Sequence, residues 1–216
     1  MKAIVWCEKS QRVAKALCEA GVDARSCDIL PCEHPEWGIP HIQDDALNHL
    51  TGYDLAIGHP PCTHLSKAGG WCWKYKEREQ LEAFRFVLRL WEAPIQRIAI
   101  ENPIGWLNTH WMPPSQIIHP YYFGDPYLKE TCLWLKNLPL LTYVLQDDMF
   151  YKATAVEPIA NWVKPGNIRN RRFNRVPEGG NRNSKDRSRM FPKVAEAMAT
   201  QWSTFGEASN KSGGEL

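Results

Sequence analysis

The sequence contains no apolar stretch of membrane-spanning length, since none approaches the roughly eighteen consecutive apolar residues that a transmembrane helix needs. Charged residues follow the apolar start of the chain at once, so we also expect no signal peptide. No internal repeat is visible. These absences argue against a membrane protein. They predict a protein that works in the cytoplasm.

A disulfide framework and a metal site are not expected either. The seven cysteines are odd in number, lie in apolar segments and include no Cys-x-x-Cys pair. Cys27, Cys32 and His34 lie close together, but a structural zinc ion normally takes four ligands at recognisable spacings. We therefore predict reduced thiols and no bound metal.

Positive charge is concentrated in one segment. The whole chain carries +2, whereas residues 167–189 carry +6 and the remainder carries −4. One basic stretch on a mildly acidic body is typical of a protein that contacts a polyanion. The alternative is a solvated loop, which is the commoner explanation of a charge run.

Strand and helix patterns alternate along the 216 residues, of which 44% are hydrophobic. This alternation predicts a single α/β domain, with a mostly parallel sheet and helices on both faces. The predicted strands are residues 2–6, 23–30, 41–43, 54–58, 97–101 and 131–136. The predicted helices are residues 13–18, 76–91 and 192–202, with Leu81, Phe84 and Val87 on the apolar side of the second. The core would comprise residues 1–140 and 190–205, with a basic insertion at 141–189 and a disordered tail at 206–216.

Cys62 and Glu101 follow two of the predicted strands, each beside a proline that ends the strand. Ligands bind at the carboxyl edge of an open parallel sheet. The order of the elements therefore predicts that Cys62 and Glu101 lie together at a binding edge. The alternative is a buried thiol and a carboxylate that caps a strand end.

Three short motifs occur in order: Pro60-Pro61-Cys62, Glu101-Asn102-Pro103 and Phe123-Gly124-Asp125-Pro126. In these motifs the chain resembles the cytosine-5 DNA methyltransferases, and in particular their short phage-encoded members. The resemblance spans roughly residues 4–202. It implies a Rossmann-like class I methyltransferase fold, S-adenosylmethionine as methyl donor, and work in the bacterial host cytoplasm if the protein is phage-encoded. It also implies that Cys62 is the nucleophile and that Pro61, Glu101 and Asn102 contact the target base.

The chemistry of this family explains the residue types. Addition of the Cys62 thiolate to carbon 6 of cytosine turns the ring into an enamine, whose carbon 5 can attack a sulfonium methyl group. Glu101 would hydrogen-bond or protonate the ring nitrogen at position 3. For this it must hold a proton near neutral pH, which burial favours.

The resemblance also implies a donor site, with these contacts: Cys7, Glu8, Ser10, Asp28, Asp45 and Pro60. The loop after the first strand has no glycine, unlike the family's, and we expect Ser10 to cap the following helix. Asp28 is expected to bind ribose hydroxyls. Asp45 is expected to contact the adenine amino group, although Asp44 beside it could be confused with it.

Lys129 and Thr131 occupy positions where the larger family has two arginines that steady the base and the cysteine loop. Lys129 keeps one charge and Thr131 offers a hydroxyl, so clamping would be weaker or the substrate held differently. The alternative for Lys129 is a solvent-facing strand residue. Trp71 and Trp73, beside Gly69 and Gly70, would belong to a loop that closes over a flipped base, or would pack against the long helix.

The chain has no room for a large target-recognition domain. We therefore predict that the basic segment contacts the phosphates of double-stranded DNA, through Arg169, Arg171, Arg172, Arg175 and Arg182. Sequence specificity would be low, and the cytosine would be flipped out of the helix. Two alternatives stay open: an enzyme that modifies a free pyrimidine nucleotide, and a DNA-binding homologue with inefficient donor binding.

Overall fold

Seven strands form one sheet in the computed structural model, which describes residues 1–67, 70, 73, 75–125, 129–143 and 189–204. The strands are β1 (Lys2–Trp6), β2 (Asp23–Asp28), β3 (His41–Gln43), β4 (Leu55–Gly58), β5 (Arg97–Pro103), β6 (Gln116–Ile118) and β7 (Thr131–Lys136). The helices are α1 (Arg12–Glu19), α2 (Glu77–Trp91), α3 (Trp106–His110) and α4 (Pro192–Ser203). Short 3-10 turns lie at Pro35–Trp37, Ala46–Asn48 and Pro120–Phe123.

The strands follow one another across the sheet in the order β3-β2-β1-β4-β5-β7-β6. All pairs from β3 to β5 are parallel, whereas β7 runs antiparallel to both of its neighbours. A parallel sheet with one reversed strand beside β5 is the Rossmann-like arrangement of class I methyltransferases. The predicted fold class is therefore confirmed.

The sheet separates two apolar cores because successive side chains of a strand point to opposite faces. Along β1, Ala3 and Val5 pack under α1 and α4, whereas Ile4 and Trp6 pack on the side of α2. Strands β4 and β5 alternate in the same way. Helices thus cover both faces, as predicted, and only the ends of the strands are left for a binding site.

Most predicted elements are present, with differences at their ends. Strands β1, β3 and β7 have the predicted bounds, β2 ends at Asp28, and β5 continues to Pro103. Helix α3 and strand β6 were not predicted. Helix α2 buries Gln80, Val87 and Leu90 and leaves Leu81 44% exposed, so the prediction for Leu81 is wrong.

Helix α4 packs against the residues that follow β7. The Nε1 atom of Trp202 donates to the carbonyl of Pro139, and Gln201 exchanges hydrogen bonds with Thr142. Most of the predicted insertion (144–188) and the tail after residue 204 lie outside the described residues. Within the described ranges, no helix has the length and apolar character to cross a bilayer.

Asp125 holds the first turn of α4 from a distant loop. Its Oδ2 accepts a hydrogen bond from the backbone nitrogen of Lys193 at 3.0 Å, and the backbone nitrogen of Val194 also donates to the carboxylate. The helix begins at Pro192 after Phe191, which gives no side-chain cap. Asp125 supplies that cap, so the Phe123-Gly124-Asp125 motif fixes α4.

We predict that Asp125→Ala lowers the free energy of unfolding by about 1 kcal/mol, the usual cost of removing a helix cap. Asp125→Asn should retain most of the stability because its amide oxygen still accepts from the helix. Urea denaturation followed by circular dichroism measures both changes. Asp23→Ala, at an exposed carboxylate paired with Arg25, is the control and should change stability little. Equal stability of Asp125→Ala and this control would contradict the capping role.

Candidate active site

The carboxyl ends of β1, β4 and β5 lie side by side because these strands are parallel. Gly58 pairs with Ile100 in register, so the next residues, His59 and Glu101, are neighbours at the edge. The Pro60-Pro61-Cys62 loop begins there. The predicted meeting of the cysteine loop and the Glu-Asn motif at one edge is therefore a feature of the fold.

Two side-chain hydrogen bonds attach this loop to the end of β5. The Nδ2 atom of Asn102 donates to the carbonyl of Pro60 at 2.9 Å, and Nδ1 of His59 lies 3.2 Å from Oε2 of Glu101. Asn102 is only 1% exposed, so its amide lies behind the loop. Pro60 is buried, Pro61 is exposed and Cys62 is half-buried.

Cys62 begins a turn that is fixed on its far side as well. Its carbonyl accepts hydrogen bonds from the backbone nitrogens of Leu65 and Ser66 at 3.0 and 2.9 Å. The carbonyl of Leu65 then accepts from the nitrogen of Trp106 at 2.7 Å, which ties the turn to the segment after β5. A Cβ atom built on Gly105 would lie 1.9 Å from the oxygen of Leu65. Only glycine allows this close approach.

We predict that Gly105→Ala lowers the free energy of unfolding by about 2 kcal/mol or more, since the Leu65 carbonyl must move and its hydrogen bond to Trp106 is lost. Gly70→Ala is the matched control, because its Cβ would meet Trp73 at an ordinary 3.9 Å. Chemical denaturation of both variants measures the difference. Similar stabilities for the two would show that the close contact is unimportant.

Glu101 is buried, and its charge state is set by opposing effects. Burial raises the pKa of Glu101, but the hydrogen bond with His59 and the charges of Lys129 and His59 outweigh it. The pKa therefore lies below the usual value for glutamate. In the protein without substrate, the partnership with His59, which the sequence did not reveal, thus opposes the effect of burial and favours the ionised carboxylate.

Lys129 lies two residues before β7, and Thr131 begins this strand, where it pairs with Pro103 at the end of β5. The ammonium of Lys129 acts on Glu101 through its charge and also lies 5.8 Å from the centre of the Phe191 ring. The hydroxyl of Thr131 is buried and donates to the carbonyl of Lys129 at 3.3 Å. Thr131 thus holds the backbone of Lys129, and the charge facing Glu101 comes from the lysine.

The loop after β1 is organised by Glu8. Its Oε1 and Oε2 accept hydrogen bonds from the backbone nitrogens of Val13 and Ala14 at 2.6 and 3.1 Å. The expectation that Ser10 caps α1 is wrong, because the N-cap residue is Gln11, which gives no side-chain cap, and Glu8 binds these amides instead. Burial raises the pKa of Glu8, while the charge of His59 and the hydrogen bonds from the helix oppose that rise. Glu8 and Ser10 are both buried and offer a ligand little side-chain surface.

Two residues of this loop adopt left-handed backbone angles without being glycine. Cys7 has φ of 59° and Gln11 has φ of 56°. Gln11 is fully buried, and its Nε2 donates to Oγ of Ser26 and to the carbonyl of Ile39 at 3.1 and 2.9 Å. Side-chain hydrogen bonds therefore stabilise a turn for which glycine is the usual residue.

Asp28 and Asp45 lie near Cys7 at the ends of β2 and β3. Burial raises the pKa of Cys7, and the charges of Asp28, Cys27 and Asp45 raise it further. The carboxylate oxygens of Asp44 already have hydrogen-bond partners within the chain: the backbone nitrogen of Asp45, the side-chain amide of Asn48 and the His49 ring. Asp45 accepts one described hydrogen bond, from the nitrogen of Leu47 to Oδ1. Of the two adjacent carboxylates, Asp45 is thus the better suited to bind a ligand.

Several predicted contacts lie outside the described residues: Trp71, Arg169, Arg171, Arg172, Arg175 and Arg182. Trp73 is described and is half-buried. Sequence reasoning assigned no role to His59 or Gly105, which fix the geometry of this edge. A histidine directly before the Pro-Pro-Cys motif and a glycine soon after the Glu-Asn-Pro motif were the available signals. Among the described residues, no cluster of acidic, histidine or cysteine side chains is arranged to hold a metal ion.

No known protein-family model and no curated protein matches the chain. Among solved structures, one that it resembles is a candidate DNA modification methyltransferase encoded within an E. coli prophage. The two chains are 14% identical, with a TM-score of 0.46, and the match covers 62% of this chain and 46% of the other. The matched region is less than half of that protein. A likeness of this degree carries no information on activity.

Proposed function

We propose that this protein transfers a methyl group from S-adenosylmethionine to carbon 5 of cytosine in DNA, through a covalent adduct of Cys62. The observation that carries the proposal is the pair of hydrogen bonds that join the Pro60–Cys62 loop to Glu101 and Asn102. They join the loop that carries the half-buried Cys62 to the segment that carries the buried Glu101, and a thiol with a carboxylate is the pair that this reaction needs.

In the proposed reaction the Cys62 sulfur adds to carbon 6 of the cytosine ring. The turn after Cys62 and the amide of Asn102 restrict the loop, so less motion is lost when the thiolate attacks. Carbon 5 becomes nucleophilic and would take the methyl group as the bond between the methyl carbon and the donor sulfur breaks, which leaves the donor as a neutral thioether. The cycle ends when the proton on carbon 5 leaves to solvent and the sulfur is expelled as a thiolate.

Glu101 would bind the edge of the same ring. As a carboxylate it can accept a hydrogen bond from the amino group at position 4 of cytosine. A bound base removes water from the carboxylate and so raises its pKa, which favours a proton shared with the ring nitrogen at position 3. Lys129 would balance the charge of the site through its closeness to Glu101.

The residues around Cys7 suit the nucleoside part of the methyl donor. The Asp28 and Asp45 carboxylates are acceptors for ribose hydroxyls and an adenine amino group. When bound, S-adenosylmethionine supplies an electrophilic methyl group on its sulfonium. The amides of Val13 and Ala14 are occupied by Glu8, so they are not offered to the donor. Cys7, Ser10 and Pro60 would shape the pocket mainly through their backbone.

DNA is the proposed substrate because of the charge of the chain. Residues 167–189 carry +6. Arg169, Arg171, Arg172, Arg175 and Arg182 would contact phosphates of a duplex from which the cytosine is flipped. A single nucleotide needs far fewer cations than this segment supplies. Binding should therefore weaken steeply with salt.

We predict that Cys62→Ser lowers methyl transfer by roughly a thousandfold or more, since a hydroxyl is a poor nucleophile near neutral pH. The assay supplies labelled S-adenosylmethionine with duplex DNA and, separately, with dCMP. Cys18→Ser is the matched control, because Cys18 is also half-buried but lies in the last turn of α1, where its thiol contacts the carbonyl of Ala24. It should retain activity.

The other outcomes select among the alternatives. Label in dCMP but not in DNA would replace the proposal by an enzyme of free nucleotides. Salt-sensitive DNA binding without any transfer would indicate a non-catalytic homologue, an outcome in line with the occupied amides of α1. Transfer that survives Cys62→Ser would rule out the covalent mechanism.

A further inference from the structure

The imidazole ring of His59 lies at the candidate site, but the proposed attack by Cys62 gives it no role. Its side chain is 9% exposed, and Nδ1 lies 3.2 Å from Oε2 of Glu101. Its other ring nitrogen, Nε2, is buried and has no hydrogen-bond partner among the described residues. A buried ring that served only for packing would be better apolar, because an unsatisfied nitrogen is costly. We therefore look for the role of the ring in its contact with Glu101.

We propose that His59 is a positioning residue, which holds the Glu101 carboxylate by a hydrogen bond from Nδ1 so that it meets the cytosine ring in one orientation and charge state. The catalytic meaning of this inference rests on the proposed function. The hydrogen bond itself is a property of the protein without substrate, so it can be tested without methyl transfer.

The direction of the hydrogen bond follows from the charge of Glu101. An ionised carboxylate can only accept, so Nδ1 of His59 carries the proton and donates it to Oε2. The backbone of His59 is itself fixed, since its nitrogen donates to the carbonyl of Trp6 at 3.0 Å. The ring therefore approaches Glu101 from a rigid strand end, which favours one carboxylate rotamer.

Other titratable groups face this pair from each neighbouring element. Glu8, in the loop after β1, interacts with the charge of His59. Lys129, on the approach to β7, interacts with the charge of Glu101, and so does Cys132 within β7. His59 acts on the Glu101 carboxylate through a hydrogen bond, and Lys129 acts on it through its charge. Without the hydrogen bond from His59, less would oppose the effect of burial on Glu101. The pKa of Glu101 should therefore rise.

The variants separate the hydrogen bond from simple packing. In His59→Asn the amide nitrogen takes the place of Nδ1, whereas in His59→Gln it is moved one bond further out. His59→Leu keeps the bulk and removes the donor. Thermal unfolding of each variant first establishes that it is folded.

The decisive measurement is the titration of the Glu101 carboxyl carbon by NMR in the whole protein, with the signal identified by its loss in Glu101→Gln. We expect the pKa of Glu101 to be higher than in the wild type in the Leu and Gln variants, because the donated hydrogen bond is lost, and to stay near the wild-type value in the Asn variant. On DNA, the Leu variant should show a kcat reduced roughly 10- to 100-fold at unchanged KM, with partial rescue by Asn.

The possible results are distinguishable. If the Glu101 titration is the same in wild type and His59→Leu, or if Asn and Gln behave alike, the inference is overturned even when methyl transfer occurs. If the titration changes as expected but the wild-type protein transfers no methyl group, the positioning of Glu101 by His59 stands and the proposed function fails.

Discussion

A buried amide, Asn102, donates a hydrogen bond to the backbone of Pro60, and the geometry of the candidate site follows from it. Pro60 and Pro61 have no backbone N–H, so the loop cannot attach itself to the sheet by donating from these positions. The Pro60 carbonyl must therefore find a donor, and Asn102 supplies one from the neighbouring strand. Loss of that donor would leave a buried carbonyl unpaired and release the loop that carries Cys62.

Charged groups then follow one another along the same edge. Glu8 interacts with His59, His59 with Glu101, and Glu101 with Lys129. Each carboxylate thus has a partner, which is how charge is tolerated where side chains are buried. Glu8 also binds the start of α1. This series of charged groups therefore connects the helix beside the candidate donor site to Glu101, beside the candidate base site. A change at one group is expected to alter the electrostatics of the next.

Sequence patterns predicted the parts of the fold that depend on apolar burial. Strands β1 and β7 have the predicted bounds because both are short runs of mostly apolar residues that lie inside the sheet. Helix α3 and strand β6 were missed since they are short and are stabilised by contacts distant in sequence. The meeting of the Pro60–Cys62 loop with the Glu101–Asn102 segment followed from strand order alone. The charge state of Glu101 did not, because His59 and Lys129 reach it only through the tertiary structure.

The loop after β1 shows how a left-handed turn forms without the glycine that is usual there. Glycine is the usual residue at left-handed backbone angles, since a side chain there costs roughly 1–2 kcal/mol. Cys7 and Gln11 adopt these angles nevertheless. Gln11 recovers part of that cost through its hydrogen bonds to Ser26 and Ile39, and Glu8 satisfies the first amides of α1. The turn is thus retained by different means, but its amides face a carboxylate of the chain itself. We therefore expect the proposed methyl donor to be bound chiefly from the side of Asp28 and Asp45.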